Sequence, residues 1–357
     1  MYAAHPNVIR TPSGDLLVLF HSSPFLGYSH HSHPLFQINA CRSIDDGKTW
    51  GESEFIASDP RGGIIDFGTH TLPDGSVYLH ASSNELIPAK GYVDINFEAP
   101  PHAAAIGDYD ESVWVSRPGI PFWIRSNDNG YTWSLPKRFP EIPGAIWGHP
   151  AEHSGVCRSG ILVLSDGLLL MPSKATEDPE GNPPYFGMIR SSKDMGKTWD
   201  YGGIIANDPV AHFSEPTIIM TTTGRILVLF RCHPDPKKGA QFLALVYSDD
   251  LGKTWSTWKP TSIKGSPGHM LKLSDNRIFI TAGTRKENQR GCIARVVDPE
   301  ATNLDSETDL VIRNDSLTSD CGYPWAVELY DGKVLIVYYY TYSDQTRGIE
   351  GTIVEEV

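Results

Sequence analysis

The chain has 357 residues, of which 40% are hydrophobic and 20% are charged, and it carries a formal net charge of −13. An acidic chain lacks the positive field that non-specific nucleic-acid binding or docking on an anionic membrane requires, so we expect no nucleic-acid partner. The sequence also contains no run of about 18 apolar residues, and we expect no membrane insertion.

The start of the chain, MYAAHPNVIR, contains no charged region followed by an apolar stretch, so no secretory leader is visible. The five cysteines are scattered and form no CxxC pair, which is not the pattern of a disulfide framework. These observations slightly favour the cytoplasm. A secreted or periplasmic protein whose leader has been removed would give the same sequence.

Six segments along the chain share one pattern. A polar or aromatic residue, often followed by proline, precedes an apolar run, a turn residue and a second apolar run. This pattern is typical of two strands joined by a tight turn. Helical periodicity is absent over any long stretch, so we predict an all-β chain. In chain order, the turn residues are Gly14, Gly75, Gly167, Gly224, Asn276 and Gly332.

Four copies of the motif S-x-D-x-G-x-T-W lie between these hairpins. In each copy the Asp can accept hydrogen bonds from the backbone amides that follow it, and the Gly permits a positive φ. The Trp can pack between neighbouring sheets. We therefore interpret the motif as a structural turn between two outer strands. The copies occupy residues 43–50, 126–133, 192–199 and 248–255.

Hairpins that alternate with outer strands predict one six-bladed β-propeller domain over residues 1–357. A longer step between the second and third hairpins indicates an insertion at about residues 84–118, which we interpret as a surface loop. The last repeat supplies strands only near residues 323–329, 333–340 and 348–354. We expect either a three-stranded last blade or a fourth strand from residues upstream of the first.

Superposition of the hairpins on their turn residues gives two sets of equivalent positions. In a propeller both sets lie at the open end of the hairpins, around one mouth of the central channel and opposite the four motifs. Carboxylates, basic groups and a tyrosine would meet there, so we predict that this mouth is the functional site. Nine residues before each turn residue stand His5, Asp66, Arg158, Glu215, Pro267 and Tyr323; seven residues after it stand His21, Ser82, Lys174, Arg231, Gly283 and Tyr339.

The four motifs in this repeat pattern resemble the sialidase (neuraminidase) superfamily, also called Asp-box or BNR-repeat proteins, over nearly the whole chain. Members of that superfamily hold a substrate carboxylate with three arginines, use a Tyr activated by a Glu as nucleophile, and use an Asp as general acid/base. The resemblance implies that Glu215 and Arg231 are the Glu and the second Arg, and that Tyr323 is the nucleophile. The resemblance also implies, through a looser match, that Arg285 in the segment TAGTR is another arginine of the set.

Two elements of the sialidase set are absent. The segment that carries the superfamily's first Arg reads Ala4-His5-Pro6, and the loop that carries its Asp reads Gly27-Tyr28-Ser29-His30-His31-Ser32-His33. Histidine is the natural proton donor or acceptor near neutral pH, so His30 or His31 is a candidate acid/base. Asp66 is the alternative candidate.

The remaining open-end residues are predicted to contact the substrate. A metal site would require the histidines of blade one to converge, but the HHSH string lacks the helical i, i+4 spacing of a metal-binding pair. We expect neither a metal nor another cofactor. The predicted substrate-binding residues are Arg231, Arg285, Arg158, His5, His21 and Lys174, and the histidines weighed as metal ligands are His5, His21, His30, His31 and His33.

The leading hypothesis is an exo-acting glycoside hydrolase that removes a terminal acidic sugar from an oligosaccharide or glycoconjugate. The absence of the first Arg and of the Asp suggests a substrate other than common sialic acid. One alternative is a uronate-directed polysaccharide lyase, in which Arg neutralises the carboxylate and His or Tyr removes the C5 proton. Another is a glycan-binding or protein-binding propeller without catalysis.

Overall fold

A computed structural model describes residues 1–24, 35–59, 62–88, 102–103, 114–117, 121–140, 158–175, 185–234 and 241–355. Within these ranges the chain forms β-strands and no helix, and hence no helix that could span a membrane. The all-β prediction is confirmed for the described residues. The strands are β1 (Tyr2–Arg10), β2 (Leu16–Ser23), β3 (Gln37–Ser43), β4 (Glu54–Ser58), β5 (Gly62–Thr71), β6 (Val77–Pro88), β7 (His102–Ala103), β8 (Trp114–Arg117), β9 (Pro121–Ser126), β10 (Lys137–Arg138), β11 (Leu162–Val163), β12 (Leu169–Ala175), β13 (Phe186–Ser192), β14 (Asp200–Ala206), β15 (His212–Met220), β16 (Ile226–His233), β17 (Phe242–Ser248), β18 (Lys259–Pro260), β19 (Gly268–Lys272), β20 (Ile278–Thr284), β21 (Gly291–Val297), β22 (Leu310–Arg313), β23 (Gly322–Glu328), β24 (Val334–Thr341) and β25 (Arg347–Val354).

The strands form sheets in which sequence neighbours pair in antiparallel order. Three sheets are four-stranded: β11-β12-β13-β14, β15-β16-β17-β18 and β19-β20-β21-β22. A six-stranded sheet has the order β10-β9-β6-β8-β7, with β5 also on β6, and a seven-stranded sheet has the order β23-β24-β25-β1-β2-β3-β4. Such successive meanders give the propeller-like arrangement of sheets.

The first strand of each repeat faces a common central channel. Residues of β1, β5, β11, β15, β19 and β23 line one cavity of about 410 Å³. The predicted hairpins therefore share an axis. Their turn residues all have a positive φ, between 74° and 94°, and join the strand pairs that the sequence predicts. Gly and Asn adopt this backbone conformation at little steric cost.

The S-x-D-x-G-x-T-W motifs form the predicted turns between third and fourth strands. In the copy between β13 and β14, Asp194 accepts hydrogen bonds from the Thr198 amide at 2.9 Å and from its hydroxyl at 2.7 Å. Ser192 donates to Asp194 at 2.8 Å and accepts from the Gly196 amide at 2.9 Å. The other three copies make the same bonds.

The motifs lie at the turn end of the inner hairpins, opposite the open end, as predicted. Asn129, in the second motif, accepts from the amide of Ser13 beside the first hairpin turn at 3.0 Å. Asp46, in the first motif, accepts from Arg10 at 2.7 Å and from the amide of Tyr330 beside the last hairpin turn at 2.8 Å. These contacts tie neighbouring repeats together at the end of the molecule away from the predicted site.

The predicted insertion loop contains strands at its ends. β6 continues to Pro88, its last four residues pair with β8, and β8 also pairs with β7. Residues 89–101 and 104–113 of the insertion lie outside the described residues.

At the last repeat, β23, β24 and β25 match the three predicted strands, and β25 meets β1 through the parallel pair Tyr2↔Arg347.

A buried hydrogen bond shows how a motif tryptophan joins two sheets, as the sequence predicts. The indole nitrogen of Trp199 donates to the hydroxyl of Tyr78 at 2.8 Å, and both side chains are buried. The substitution Tyr78→Phe deprives this donor of its acceptor, and we expect it to lower the free energy of unfolding by about 1–3 kcal/mol. Urea unfolding measures the effect. Tyr131→Phe is the control, because Tyr131 is exposed, and equal losses in the two variants would contradict the prediction.

Candidate active site

Four inner strands are bulged at the predicted open-end position. The ladders of β1, β5, β15 and β23 with their partners skip residues at this point, so the bulged residue leaves the regular alternation and its side chain is re-aimed. Left-handed backbone at a residue other than glycine costs about 1–3 kcal/mol and concentrates at functional sites. The bulged residues and their φ values are His5 (52°), Asp66 (47°), Glu215 (44°) and Tyr323 (53°).

Proline is the sequence signal for three of these bulges. Within sheets, proline is confined to edges, strand starts and bulges, because it cannot donate to the ladder. Pro6, Pro216 and Pro324 each follow a bulged residue directly. The neighbouring ladder pairs Ser214↔Arg231 and Gly322↔Tyr339 place the second predicted set level with the first.

Tyr323, Glu215 and Arg231 form a closed hydrogen-bonded group. The Tyr323 hydroxyl donates to Glu215 Oε1 at 2.5 Å, and Arg231 Nη1 lies 2.7 Å from Glu215 Oε2. Arg231 Nη1 also donates to the Tyr323 oxygen at 3.1 Å. Tyr323 is 7% and Glu215 5% exposed, so the hydrogen bond between them forms away from bulk water. The structure thus brings together three residues that the sequence assigned to one site.

The surroundings of Glu215 keep the proton on Tyr323 in the resting state. Burial by itself would raise the pKa of Glu215, but the charge of Arg231 and the Tyr323 hydrogen bond outweigh it and hold that pKa at about 2. Burial, and then the charge of Glu215, raise the pKa of Tyr323 well above its ordinary value. In the resting state a neutral phenol therefore donates its hydrogen bond to an ionised carboxylate, the group in direct contact with the phenol proton.

His5 packs flat against the nucleophile candidate. Its ring lies 3.9 Å from the ring centre of Tyr323, with an interplanar angle of 17°, and its edge contacts His21 and Tyr339. The preceding Ala4 is buried in a cluster of aromatic rings. The position that the resemblance assigns to the superfamily's first Arg thus carries a small side chain that aromatic rings enclose.

The two other arginines differ in their exposure. Arg285 lies with its guanidinium 5.4 Å from the Tyr323 ring centre, is partly exposed, and donates to the Ser266 carbonyl at 2.5 Å. Arg158 is 2% exposed, and its Nη2 donates to backbone carbonyls. Because its side chain is buried, Arg158 does not simply face solvent, and its predicted contact with the substrate stays a prediction.

Asp66 and Lys174 face the same group. Lys174 Nζ lies 3.7 Å from Asp66 Oδ2, the charge of Lys174 contributes to the low pKa of Glu215, and that of Asp66 to the high pKa of Tyr323. His30, His31 and His33 lie outside the described residues, and their roles stay predictions. Among the described residues, no group of His, Cys, Asp and Glu could hold a metal ion.

The sequence reading missed His233. Arg231 Nε donates to His233 Nε2 at 3.0 Å, so this nitrogen is an acceptor and the ring is neutral. Burial, and then the charge of Arg231, lower the pKa of His233 to about 4. The signal was available, because His233 follows Arg231 by two residues on β16 and so lies on the same strand face.

Asp320 was also missed. Its carboxylate accepts from the hydroxyls of Tyr2 at 3.0 Å and Tyr339 at 2.8 Å and from Arg347 Nε at 3.0 Å. The network holds the aromatic cluster beside Tyr323 and joins β25 to β1. No local motif marks it, since its members are brought together only by the meeting of the first and last strands.

The low pKa of Glu215 predicts a specific pH dependence. Its folded-state pKa of about 2 lies below the ordinary value of 4.5, so the carboxylate's stabilisation is complete above the ordinary value and is lost as the pH falls through about 2. We expect Glu215→Gln to be less stable than the parent near neutral pH, and this difference to shrink between those two values. Thermal unfolding across this range measures it. The exposed Glu287→Gln is the control, and a pH-independent difference at Glu215 would contradict the assignment.

Comparison with known proteins agrees with this architecture. The sequence model of the BNR repeat-like domain family matches residues 109–336. A sialidase of Paraclostridium sordellii is 23% identical over 77% of this chain and 62% of its own length, so this chain spans less than two thirds of that relative. A sialidase of Clostridium perfringens is 25% identical over 82% of this chain and 70% of its own length.

Solved structures share the fold along nearly the whole chain. A protein of unknown function from Dyadobacter fermentans is 28% identical, with a TM-score of 0.85 over 99% of this chain and 94% of that one. The Hadza microbial sialidase Hz136 is 18% identical, with a TM-score of 0.65 over 99% of this chain and 66% of that one. Since the family match covers more than half of the sequence, the chain belongs to the BNR repeat-like family, within the sialidase-type propeller superfamily.

Proposed function

We propose that this protein is a sialidase-like glycoside hydrolase that removes a terminal acidic sugar from an oligosaccharide or glycoconjugate. The observation that carries the proposal is the hydrogen-bonded group of Tyr323, Glu215 and Arg231. A phenol in contact with a carboxylate acceptor is the arrangement of an activated nucleophile. The relatives named sialidase support the same class of reaction.

The proposed architecture is a six-bladed propeller over residues 1–357. The seven-stranded sheet contains two meanders, β23-β24-β25 and β1-β2-β3-β4, that meet through the single pair Tyr2↔Arg347. We count them as two blades, the first with three strands. With the other sheets this gives six blades, one for each inner strand that lines the channel.

In the proposed reaction, the Tyr323 oxygen attacks the anomeric carbon while its proton passes to Glu215. The resting protonation states suit this step, since the acceptor is charged and the donor neutral. Arg231 donates to both oxygens and stabilises the negative charge as it moves from one to the other. Water then releases the sugar from the covalent intermediate, as in retaining hydrolases.

Arg231 and Arg285 are proposed to hold the sugar carboxylate. The side chain of Arg231 is 19% exposed although that of its partner Glu215 is only 5% exposed, so a ligand can reach the guanidinium. Arg285 lies against the same phenol ring and is partly exposed. Planar guanidinium groups bind carboxylates through paired hydrogen bonds, which fixes the orientation of the sugar.

The proton donor to the leaving oxygen is assigned to His30 or His31, with Asp66 as the alternative. Asp66 Oδ2 already lies 3.7 Å from Lys174 Nζ, in an ion pair. Histidine can be protonated near neutral pH. His5 is proposed to support the nucleophile by stacking, and His21 packs beside it.

Cleavage in heavy-oxygen water tests the proposed reaction. The assay uses 4-methylumbelliferyl glycosides of N-acetylneuraminic, glucuronic and galacturonic acids and a mixture of acidic oligosaccharides, with products weighed by mass spectrometry. We expect incorporation of one heavy oxygen at the new sugar end. An unsaturated sugar without added water would replace the hydrolase by the lyase. No cleavage across the panel would favour a binding propeller and overturn the proposal.

Removal of the nucleophile gives a second test. Tyr323→Phe keeps the ring that stacks on His5 but lacks the attacking oxygen, so we expect kcat to fall by about 10³-fold or more. Tyr330→Phe is the matched control, because Tyr330 is exposed at the opposite end of the hairpins. Retention of parental kcat in Tyr323→Phe would exclude this residue as the nucleophile.

A further inference from the structure

The bulges of β1 and β23 leave backbone carbonyl groups outside the strand ladder. Pro6 lies in the skipped part of the β1–β2 ladder, and Tyr323 and Pro324 lie in that of β23–β24. A buried carbonyl without a partner costs about 1–3 kcal/mol, so these groups need donors from elsewhere. The position of the Tyr323 side chain depends on this part of the backbone.

One side chain supplies those hydrogen bonds. Arg158 Nη2 donates to the carbonyl oxygens of Pro324 at 2.8 Å, Tyr323 at 2.9 Å and Pro6 at 3.2 Å. Arg158 lies just before β11, so it connects a third part of the chain to the bulges of β1 and β23. The guanidinium also lies 4.7 Å from the ring centre of Trp325 and 5.5 Å from that of Tyr323.

The shape of the group matters as much as its charge. Arg158 is 2% exposed, and burial lowers its pKa to about 10, so it remains a cation at neutral pH. A planar guanidinium can lie over an aromatic ring and donate in its own plane at once, which a lysine ammonium cannot do. The positive charge of Arg158 also favours loss of the proton from Tyr323, because it attracts the developing phenolate.

We propose that Arg158 is a positioning residue for Tyr323: it fixes the bulged backbone from which the phenol reaches Glu215, and it does not contact the substrate. The kinetic consequence rests on the proposed function, whereas the geometric consequence does not. Its burial argues against direct contact with a sugar, and its acceptors are the carbonyls of the nucleophile itself and of its neighbours. Arg158 thus acts on the reaction through the backbone.

The test compares Arg158→Met with Arg190→Met. Arg190 is a matched control, since it is also fully buried beside an aromatic ring, that of Phe139, but lies in the β11–β14 sheet on β13. Tyrosine labelled with ¹³C at Cζ reports the hydrogen bond of Tyr323, whose signal is assigned with Tyr323→Phe. We expect Arg158→Met to move this signal and to lower kcat by about 10²-fold while KM changes by less than about threefold, because a displacement of about 1 Å costs that much. Arg190→Met should do neither.

The outcomes separate three roles. A raised KM with an unchanged kcat would assign Arg158 to the substrate and overturn the proposal, and so would changes no larger than those of Arg190→Met. If Arg158→Met does not fold, Arg158→Lys takes its place, with the same expected direction because the ammonium cannot replace the planar donor. If the parent protein cleaves none of the acidic glycosides, the proposed function fails, and the Tyr323 signal alone still supports or overturns the role of Arg158.

Discussion

The buried carboxylate of Glu215 is the charge around which the open end of the hairpins is arranged. An isolated carboxylate in such surroundings is strongly unfavourable, and it is stable only when it is paired and hydrogen-bonded. Arg231, on the adjacent strand, and Tyr323, on a strand of another sheet, meet this need together. Removal of Arg231 leaves the charge of the carboxylate uncompensated, and removal of the Tyr323 hydroxyl leaves one of its hydrogen bonds unmade. The same interaction that supports the proposed chemistry therefore also fixes the relative position of two sheets.

The two ends of the hairpins are built on different principles. At the turn end, the Asp motifs satisfy their own backbone locally and tie neighbouring repeats together. At the open end, four ladders break at residues with left-handed backbone, and the carbonyls freed in β1 and β23 accept hydrogen bonds from Arg158. The left-handed residues of the turn end lie inside hydrogen-bonded motifs, whereas those of the open end lie where the ladders break. The order of the turn end thus helps a regular sheet fold to keep an irregular site in place.

Much of this was predictable because the repeat fixes backbone positions. The turn residues, the motifs and the level of Glu215, Arg231 and Tyr323 all follow from superposition of the hairpins. Counting along a repeat locates a Cα atom but not the direction of a long side chain. The hydrogen bonds from Arg158 to backbone carbonyls of two other strands were therefore not predictable. The Asp320 network was not predicted for a related reason, since its partners come from the first strand and the last two strands and share no local pattern.

The aromatic cluster at the first repeat bears on what the proposed enzyme recognises. A guanidinium in place of the Ala4 side chain would be buried among the rings of Tyr2, Phe36 and Tyr339, where a cation needs a carboxylate partner. The nearby carboxylate of Asp320 already accepts from Tyr2, Tyr339 and Arg347. A sugar carboxylate would therefore be held by two arginines, Arg231 and Arg285, beside this cluster of aromatic side chains. Shape and stacking would then carry more of the selectivity, and charge less, than in a site with three arginines.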